Sequence, residues 1–404
     1  MPLVPRPHYL DWLKGFCDQP VAKVLTGLRR SGKSSILRQT ADWLRTEHAS
    51  PERVVHLDFD LLSTARLRAA EALEAHIKDS TPETGPVYVL LDEVQEVADW
   101  ERLVNSLLAE GRADVYLTGS NSKVLSSELA TYITGRYVEL AVAPLTFAEH
   151  LDFVRTLGVR PVGDTDAEFN RYLIAGGFPG LHVADLSEAQ TQQMVGDIYR
   201  SILVKDVLTR HPVRQADLFE RVAQFAFDNA GQSFSARRVS AHLKSQQRQL
   251  SHQTVAEYLG YLEEAFLIRR VPRNDLRGRA ILATNEKFYP GDHGIVNALF
   301  GYDPTRLPGL LESVVAAELR HRGYSVTVGR VGEAEVDFVA DRAGDRVYVQ
   351  VAATILDPET RRREFAPLQA IRDSHPKLVL TLDTVAGGSV DGIRHRRLQD
   401  FLLD

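Results

Sequence analysis

The sequence predicts an α/β protein organised around a mostly parallel sheet that holds a nucleotide, and three features carry that expectation. Short apolar runs alternate with helical patterns from Ala22 to about Leu140, a glycine-rich stretch GLRRSGKSS follows the first run, and a later run, VYVLLDE, ends in two adjacent acids. Strands alternating with amphipathic helices are what parallel strands joined by crossover helices require.

In chain order, KVLTG (23–27), RVVHLDF (53–59), VYVLLDE (87–93), ADVYLTGS (113–120) and RYVELAV (136–142) read as strands, rich in Val, Leu and Tyr and bounded by Gly, Pro or charge. SSILRQTADWLRTEH and DWERLVNSLLAE space apolar residues three or four apart and read as helices. This core spans 1–142. TFAEHLDFVRTLG opens a helical lid over 143–212, which continues through AGGFPG (175–180) into a long helical stretch ending near His211. Residues 213–279 hold three helix-like pieces, with Ser235 and Ser251 placed to cap two of them, and the set is winged-helix-like. Residues 280–404 mix GLLESVVAAELRHRG with strands YSVTVG, AEVDFVA, RVYVQVA and KLVLTL, a further α/β block.

Composition narrows the function classes. At 404 residues the chain has room for two or three domains, and 44% hydrophobic content argues for packed structure. The net charge of −6 supplies no general basic field, so any nucleic-acid contact must be local. The single cysteine, Cys17, cannot close an internal disulfide and points to a reducing compartment. With no signal-peptide pattern and no window of about 20 apolar residues, the expectation is a soluble, cytoplasmic protein with no membrane contact.

The nucleotide site is read from spacing. Gly27, Gly32, Lys33 and Ser34 have the P-loop arrangement between a strand and a helix. The glycines let backbone N–H groups turn toward phosphates, Lys33 reaches the terminal phosphates, and Ser34 offers a hydroxyl to Mg²⁺. Arg30, Ser31 and Ser35 belong to the same phosphate cradle. Two adjacent acids at a buried strand end need partners. A Mg²⁺–phosphate cluster supplies them to Asp92, while Glu93 is placed to orient or deprotonate the attacking water; the bland alternatives are a solvated strand end or an ion pair. Ser120 and Asn121 either hydrogen-bond that water or the γ-phosphate, or cap a turn. Arg136, at the entrance to the last strand, is either a surface side chain or a finger that reaches a neighbouring subunit's nucleotide, which demands a ring or head-to-tail oligomer, a hexamer for example.

Two further sites are weighed downstream. Arg237, Arg238, Lys244 and Arg248, followed by Ser251, His252 and Gln253, stand where a helix-turn-helix meets phosphates and base edges, and Arg269, Arg270, Arg273, Arg277 and Arg279 extend the basic surface. The bland alternative is a solvated or protein-binding face. In the tail, EAEVDFVADRAGDRVYVQVAA reads as two strands around a Gly-containing turn. Asp337 and a helper, Glu312, are present, but Gln350 and Ala352 stand where a metal-dependent nuclease needs a second acid and a lysine. Asp337 is therefore weighed chiefly as a residue paired with a nearby arginine on an ordinary sheet.

Taken in order, GLRRSGKSSILRQ, LLDEVQEVADWE, LTGSNSKVLSSELATYITGRYVELAVAPLTFAEHL, AGGFPG, KFYPGDHGIVNALFG, LLESVVAAELRHRGY and AEVDFVADRAGDRVYVQVA resemble the bacterial and archaeal AAA-type ATPases whose C-terminal domain is nuclease-like. The resemblance covers nearly the whole chain. It implies ATP and Mg²⁺ as cofactors, the usual roles for Lys33, Ser34, Asp92 and Glu93, Arg136 as finger, and a restriction-endonuclease-like tail, from whose cutting site this chain departs at Gln350 and Ala352. The function expected is ATP hydrolysis by an oligomer coupled to DNA binding. The alternatives are a nucleotide switch that binds an unidentified protein partner, and an ATP-regulated nuclease.

Overall fold

The computed structural model describes residues 3–120, 133, 135–276, 280–385 and 387–404. Asn121, Arg277 and Arg279 lie outside the described residues. The chain divides into two compact units, Met1–Pro144 with Glu264–Phe266, and Leu145–Glu263 with Leu267–Asp404.

In the first unit, helix α1 (Pro7–Gly15) precedes strand β1 (Ala22–Thr26), helix α2 (Lys33–Trp43) and strand β2 (Val54–Asp58). Helix α3 (Ala70–Ser80), strand β3 (Val87–Asp92), helix α4 (Trp100–Glu110) and strands β4 (Ala113–Thr118) and β5 (Tyr137–Ala141) follow. The five strands are all parallel, in the order β2-β3-β4-β1-β5. They read as continuous apolar runs because both faces are covered. Leu25, Leu90 and Tyr116 face α1 and α2 through Tyr9, Leu13, Ile36 and Leu37. Val24, Val89, Leu91 and Val115 face α3 and α4 through Leu73, Leu103 and Val104. The strands expected from sequence form within a residue or two of their expected bounds. Helix α3 was not anticipated, and α2 ends in one turn of π-helix, Leu44–His48.

The second unit opens with helices Phe147–Leu157, Thr165–Ala175 and Glu188–Ile202. The first carries a full capping box between Thr146 and Glu149. Helices Ala216–Asp228, Ala236–Ser245 and His252–Glu264 come next, with strand β6 (Ser233–Phe234) between the first two and strands β7 (Ile268–Asp275) and β8 (Ala280–Pro290) after them. Ser235 and Ser251 accept from the backbone N–H of Arg238 and Thr254, so both expected caps form. Helices Gly294–Phe300 and Leu307–His321 then lead to antiparallel strands β9 (Ser325–Val331), β10 (Ala334–Arg342) and β11 (Asp345–Val351). Helix Pro358–Gln369, strands β12 (Lys377–Thr381), β13 (Ser389–Val390) and β14 (Ile393–Arg397), and helix Leu398–Leu403 complete the chain.

One nine-stranded sheet, β13-β14-β12-β11-β10-β9-β7-β8-β6, runs through this unit. It crosses the boundary expected at 279/280: β7 and β8 are antiparallel partners on either side of it, and β7 also pairs with β9. The AGGFPG stretch is a packing joint. Gly176 has φ +82 and lies so close to Asp292 that an added Cβ would stand 2.0 Å from Oδ1, while Asp292 accepts from the N–H groups of Gly177 (2.7 Å) and Gly294 (2.9 Å). Among the described residues no helix is long and apolar enough to cross a membrane.

Candidate functional site

The glycine-rich stretch GLRRSGKSS lies between the C-terminal end of β1 and the start of α2. Gly27 has φ +134, and a Cβ there would stand 2.2 Å from the Val142 carbonyl, so only glycine fits. Gly32 (φ +103) and, less commonly for a side-chain-bearing residue, Arg30 (φ 65) also take left-handed conformations. Ser31 is fully buried and its hydroxyl has no hydrogen-bond partner among the described residues. Arg30 is exposed, and Ser34 and Ser35 are partly exposed on the first turn of α2. Lys33 is buried, its ammonium donating to the carbonyls of Gly27 (2.8 Å) and Leu28 (3.1 Å).

Parallel pairing sets Asp58 of β2 beside Asp92 of β3. Asp92 is 2% exposed. Burial pushes its carboxyl up to about 6, against hydrogen bonds from the hydroxyls of Thr118 and Ser34, and the neighbouring Glu93 and Asp58 charges push the same way as burial. A buried carboxylate bonded to the hydroxyl of Ser34 is a pair of hard oxygens that could hold Mg²⁺. Glu93 is buried in a left-handed conformation (φ 53). Its N–H donates to Thr118 Oγ1 at 3.0 Å and its carboxylate accepts from Gln95 Nε2. Ser120, two residues past β4, is fully buried. Arg136 is exposed just before β5, held there by its backbone carbonyl, which accepts from Ala22 N at 2.9 Å.

Two residues of this site escaped the sequence reading. Thr118 bridges the two acids through one hydroxyl. Arg6, 2% exposed, donates from its guanidinium to the carbonyls of Ser31 (3.0 Å) and Ala143 (3.0 Å) and so braces the loop from the N-terminal segment. The only sequence signal for Thr118 was its place at the end of a buried strand; Arg6 had none.

The tail residues converge differently from the expectation. A bulge in β10 between Val336 and Val339 turns the strand at Asp337. Asp337 Oδ2 accepts from Val351 N at 2.9 Å, and its N–H donates to Gln350 Oε1. The partner foreseen for Asp337 was an arginine, but the cation is Lys287 of β8, buried with its Nζ 3.0 Å from Glu312, 2.9 Å from Glu335 and 3.6 Å from Asp337. Burial works against the Lys287 ammonium, yet the Glu312, Asp337 and Glu335 carboxylates hold it above its ordinary value. Burial and the Glu312 charge raise Asp337. Gln350 donates to Glu364 at 2.9 Å, and Ala352 packs among Val339, Tyr348, Ile355 and Phe365.

Of the basic surface, Arg237, Arg238, Lys244 and Arg248 are exposed, as are Ser251, His252 and Gln253. Arg248 lies 3.9 Å from Asp217. Arg270 is paired with Glu263 (2.7 Å) and Glu286 (2.8 Å), and Arg273 with Glu335 (2.8 Å). Acids of the same sheet and helix therefore neutralise part of the patch.

Residues 19–151 match the family described as AAA domain, and residues 166–306 match a domain of unknown function, DUF8612, which spans the boundaries expected at 212/213 and 279/280. An uncharacterised protein of Haemophilus influenzae is 34% identical over 403 residues, 99% of each chain. The chain belongs to this family of AAA-domain ATPase-like proteins. A second relative, an uncharacterised protein of Methanocaldococcus jannaschii, is 26% identical over 87% of this chain and 79% of its own. Among solved structures, a Walker-type ATPase of Pyrococcus abyssi superposes with a TM-score of 0.52 at 15% identity, covering 73% of this chain and 95% of that one, which shows a shared fold.

Proposed function

We propose that this AAA-domain protein is a Mg²⁺-dependent ATPase working as a ring or head-to-tail oligomer. The observation that carries the proposal is Asp92, buried beside the phosphate loop and hydrogen-bonded to Ser34. Gly27, Arg30, Ser31, Gly32, Lys33, Ser34 and Ser35 cradle the phosphates, with Ser120 and Asn121 at the γ end. Ser34 and Asp92 would hold Mg²⁺, which when bound would neutralise charge on the terminal phosphates. Glu93 orients and deprotonates the attacking water, its backbone fixed by Thr118. Arg136, exposed, serves a neighbouring copy's nucleotide. Titration of the full chain with ATP should give heat only with Mg²⁺ present and a vacant response in Lys33→Ala; equal binding by Lys33→Ala would refute the cradle.

The helix–strand–helix–helix–hairpin order over 216–290 supports a winged-helix-like reading. Exposed Arg237, Arg238 and Lys244 support coupling of turnover to DNA. The ion-paired Arg270 and Arg273 favour the alternative, a nucleotide switch that grips a protein partner. Duplex DNA that raises ATP turnover in wild type and not in a triple Arg237→Ala, Arg238→Ala, Lys244→Ala chain decides for the first; no stimulation decides for the second. Helix Leu307–His321, three antiparallel strands, helix Pro358–Gln369 and β12 support a nuclease-like tail. With an ammonium already compensating its carboxylates, this tail cuts nothing: nucleic acid stays intact in Mg²⁺ or Mn²⁺, and cleavage abolished by Asp337→Ala would overturn that reading.

A further inference from the structure

At the N-terminal ends of the parallel strands, opposite the edge that carries the phosphate loop, three side chains from two segments converge. Cys17 and Asp18 lie in the turn after α1, and His48 closes the π-helical turn before β2. Cys17 Sγ is 3.4 Å from His48 Nε2, and Asp18 Oδ2 is 2.9 Å from the same nitrogen. One ligand atom from each residue fits within 4.8 Å of the other two. We propose that Cys17, Asp18 and His48 form a transition-metal site of Zn²⁺ type, with a fourth position open to water.

The arrangement argues for a cation and against two simpler readings. In a thiol–imidazole–carboxylate nucleophile system the acid holds the nitrogen that does not face the thiol. Here thiol and carboxylate address one nitrogen, so three donor atoms surround a common point. An ordinary His–Asp surface pair needs no thiol on that nitrogen and no supporting shell. This site has one: Tyr88 donates to Asp18 Oδ1 at 2.8 Å, leaving Oδ2 for the centre. Asp114 accepts from Asp18 N (2.9 Å) and from the Tyr116 hydroxyl (2.9 Å), and is itself paired with buried Lys23. These contacts hold Asp18 in its left-handed conformation, φ 60. Trp43 stacks on the His48 ring at 5.1 Å between centroids and fixes its plane. Outer contacts of this kind are what orient ligands at metal sites.

The donor set and spacing select the ion. Thiolate, imidazole and one carboxylate oxygen suit Zn²⁺, whereas Mg²⁺ and Ca²⁺ take oxygen alone. Bonds of ~2.0 Å to nitrogen and ~2.3 Å to sulfur in a tetrahedron put ligand atoms about 3.3–3.6 Å apart. The 3.4 Å thiol–imidazole separation meets this, and the 2.9 Å imidazole–carboxylate separation opens by a few tenths as the ion replaces a shared proton. Side-chain exposures of 30% for His48 and 52% for Asp18 leave a path for the ion and its water.

The test uses the reduced, metal-stripped full chain without nucleotide. Zn²⁺ titrated against a chromophoric chelator should bind at one equivalent, and Co²⁺ should give the intense thiolate-to-cobalt band of a tetrahedral sulfur-bound ion. Cys17→Ser should abolish that band, His48→Gln should weaken Zn²⁺ binding by at least about 10-fold, and Tyr88→Phe should weaken it by about 10-fold. The metal-free variants are compared with metal-free wild type by thermal unfolding. His48→Gln, changed at a partly exposed side chain, carries the test if Cys17→Ser does not fold. No thiolate band in wild type, or Zn²⁺ binding by folded His48→Gln as tight as wild type, overturns the proposal.

Discussion

Thr118 links the two acids at the end of β3: its hydroxyl donates to Asp92 and accepts from the Glu93 N–H. A threonine-to-valine change keeps the shape and removes both bonds. Thr118→Val should therefore bind ATP near normally and hydrolyse it about 10-fold more slowly, as read by a kcat against KM split. A separate residue-scale prediction concerns His150 and His182, whose rings pack 4.8 Å apart beside the Arg160–Glu168 ion pair. Burial depresses His150 to about 4, despite Glu168 at 3.2 Å, and burial with the His150 charge depresses His182 to about 3. Both are neutral in the folded chain while the unfolded chain takes up protons below about 6.5. Their contribution to stability is thus complete above pH 6.5 and lost as pH falls toward 4. For His150 the depression from 6.5 to about 4 amounts to about 3 kcal/mol. Urea unfolding of wild type should show the loss between pH 7 and 4.5, and His182→Gln should show less of it.

At the scale of elements, the AGGFPG turn and the Asp292–Gly294 turn define one another. A methyl at Gly176 meets Asp292 Oδ1 and a left-handed backbone at once. Gly176→Ala should destabilise the second unit by about 1–3 kcal/mol from backbone strain alone, measured as a fall in the urea midpoint at constant slope. The elements most legible in the sequence were β1 to β5, because a strand buried on both faces is an unbroken apolar run whose ends are marked by Gly or charge. Likewise legible was the glycine-rich turn from Gly27 to Ser35 between β1 and α2, because its residues lie within nine consecutive positions. What stayed hidden was non-local. Lys287 meets Glu312 from 25 positions away and Glu335 from a further strand, so nothing in the linear text around Asp337 announces an ammonium. The DPETRRRE charge run hid helix Pro358–Gln369 for another reason: its arginines face solvent, while Asp357 caps its start at Thr360 N.

For the whole molecule, the proposed oligomer completes each nucleotide site with an arginine of a second copy. Lys33→Ala and Arg136→Ala chains, each inactive alone, should recover part of the wild-type turnover when mixed, since some interfaces then pair an intact cradle with an intact arginine. Full hydrolysis by a chain that stays monomeric with ATP would remove Arg136 from the site. The proposed base is Glu93, buried and fixed by Thr118 and Gln95. It is tested most directly by single-turnover hydrolysis of Mg²⁺-ATP by Glu93→Gln, with ATP affinity measured on the same sample. Glu93→Gln should show near-normal ATP affinity and a hydrolysis rate at least about 100-fold below wild type. A Glu93→Gln rate equal to wild type would contradict it.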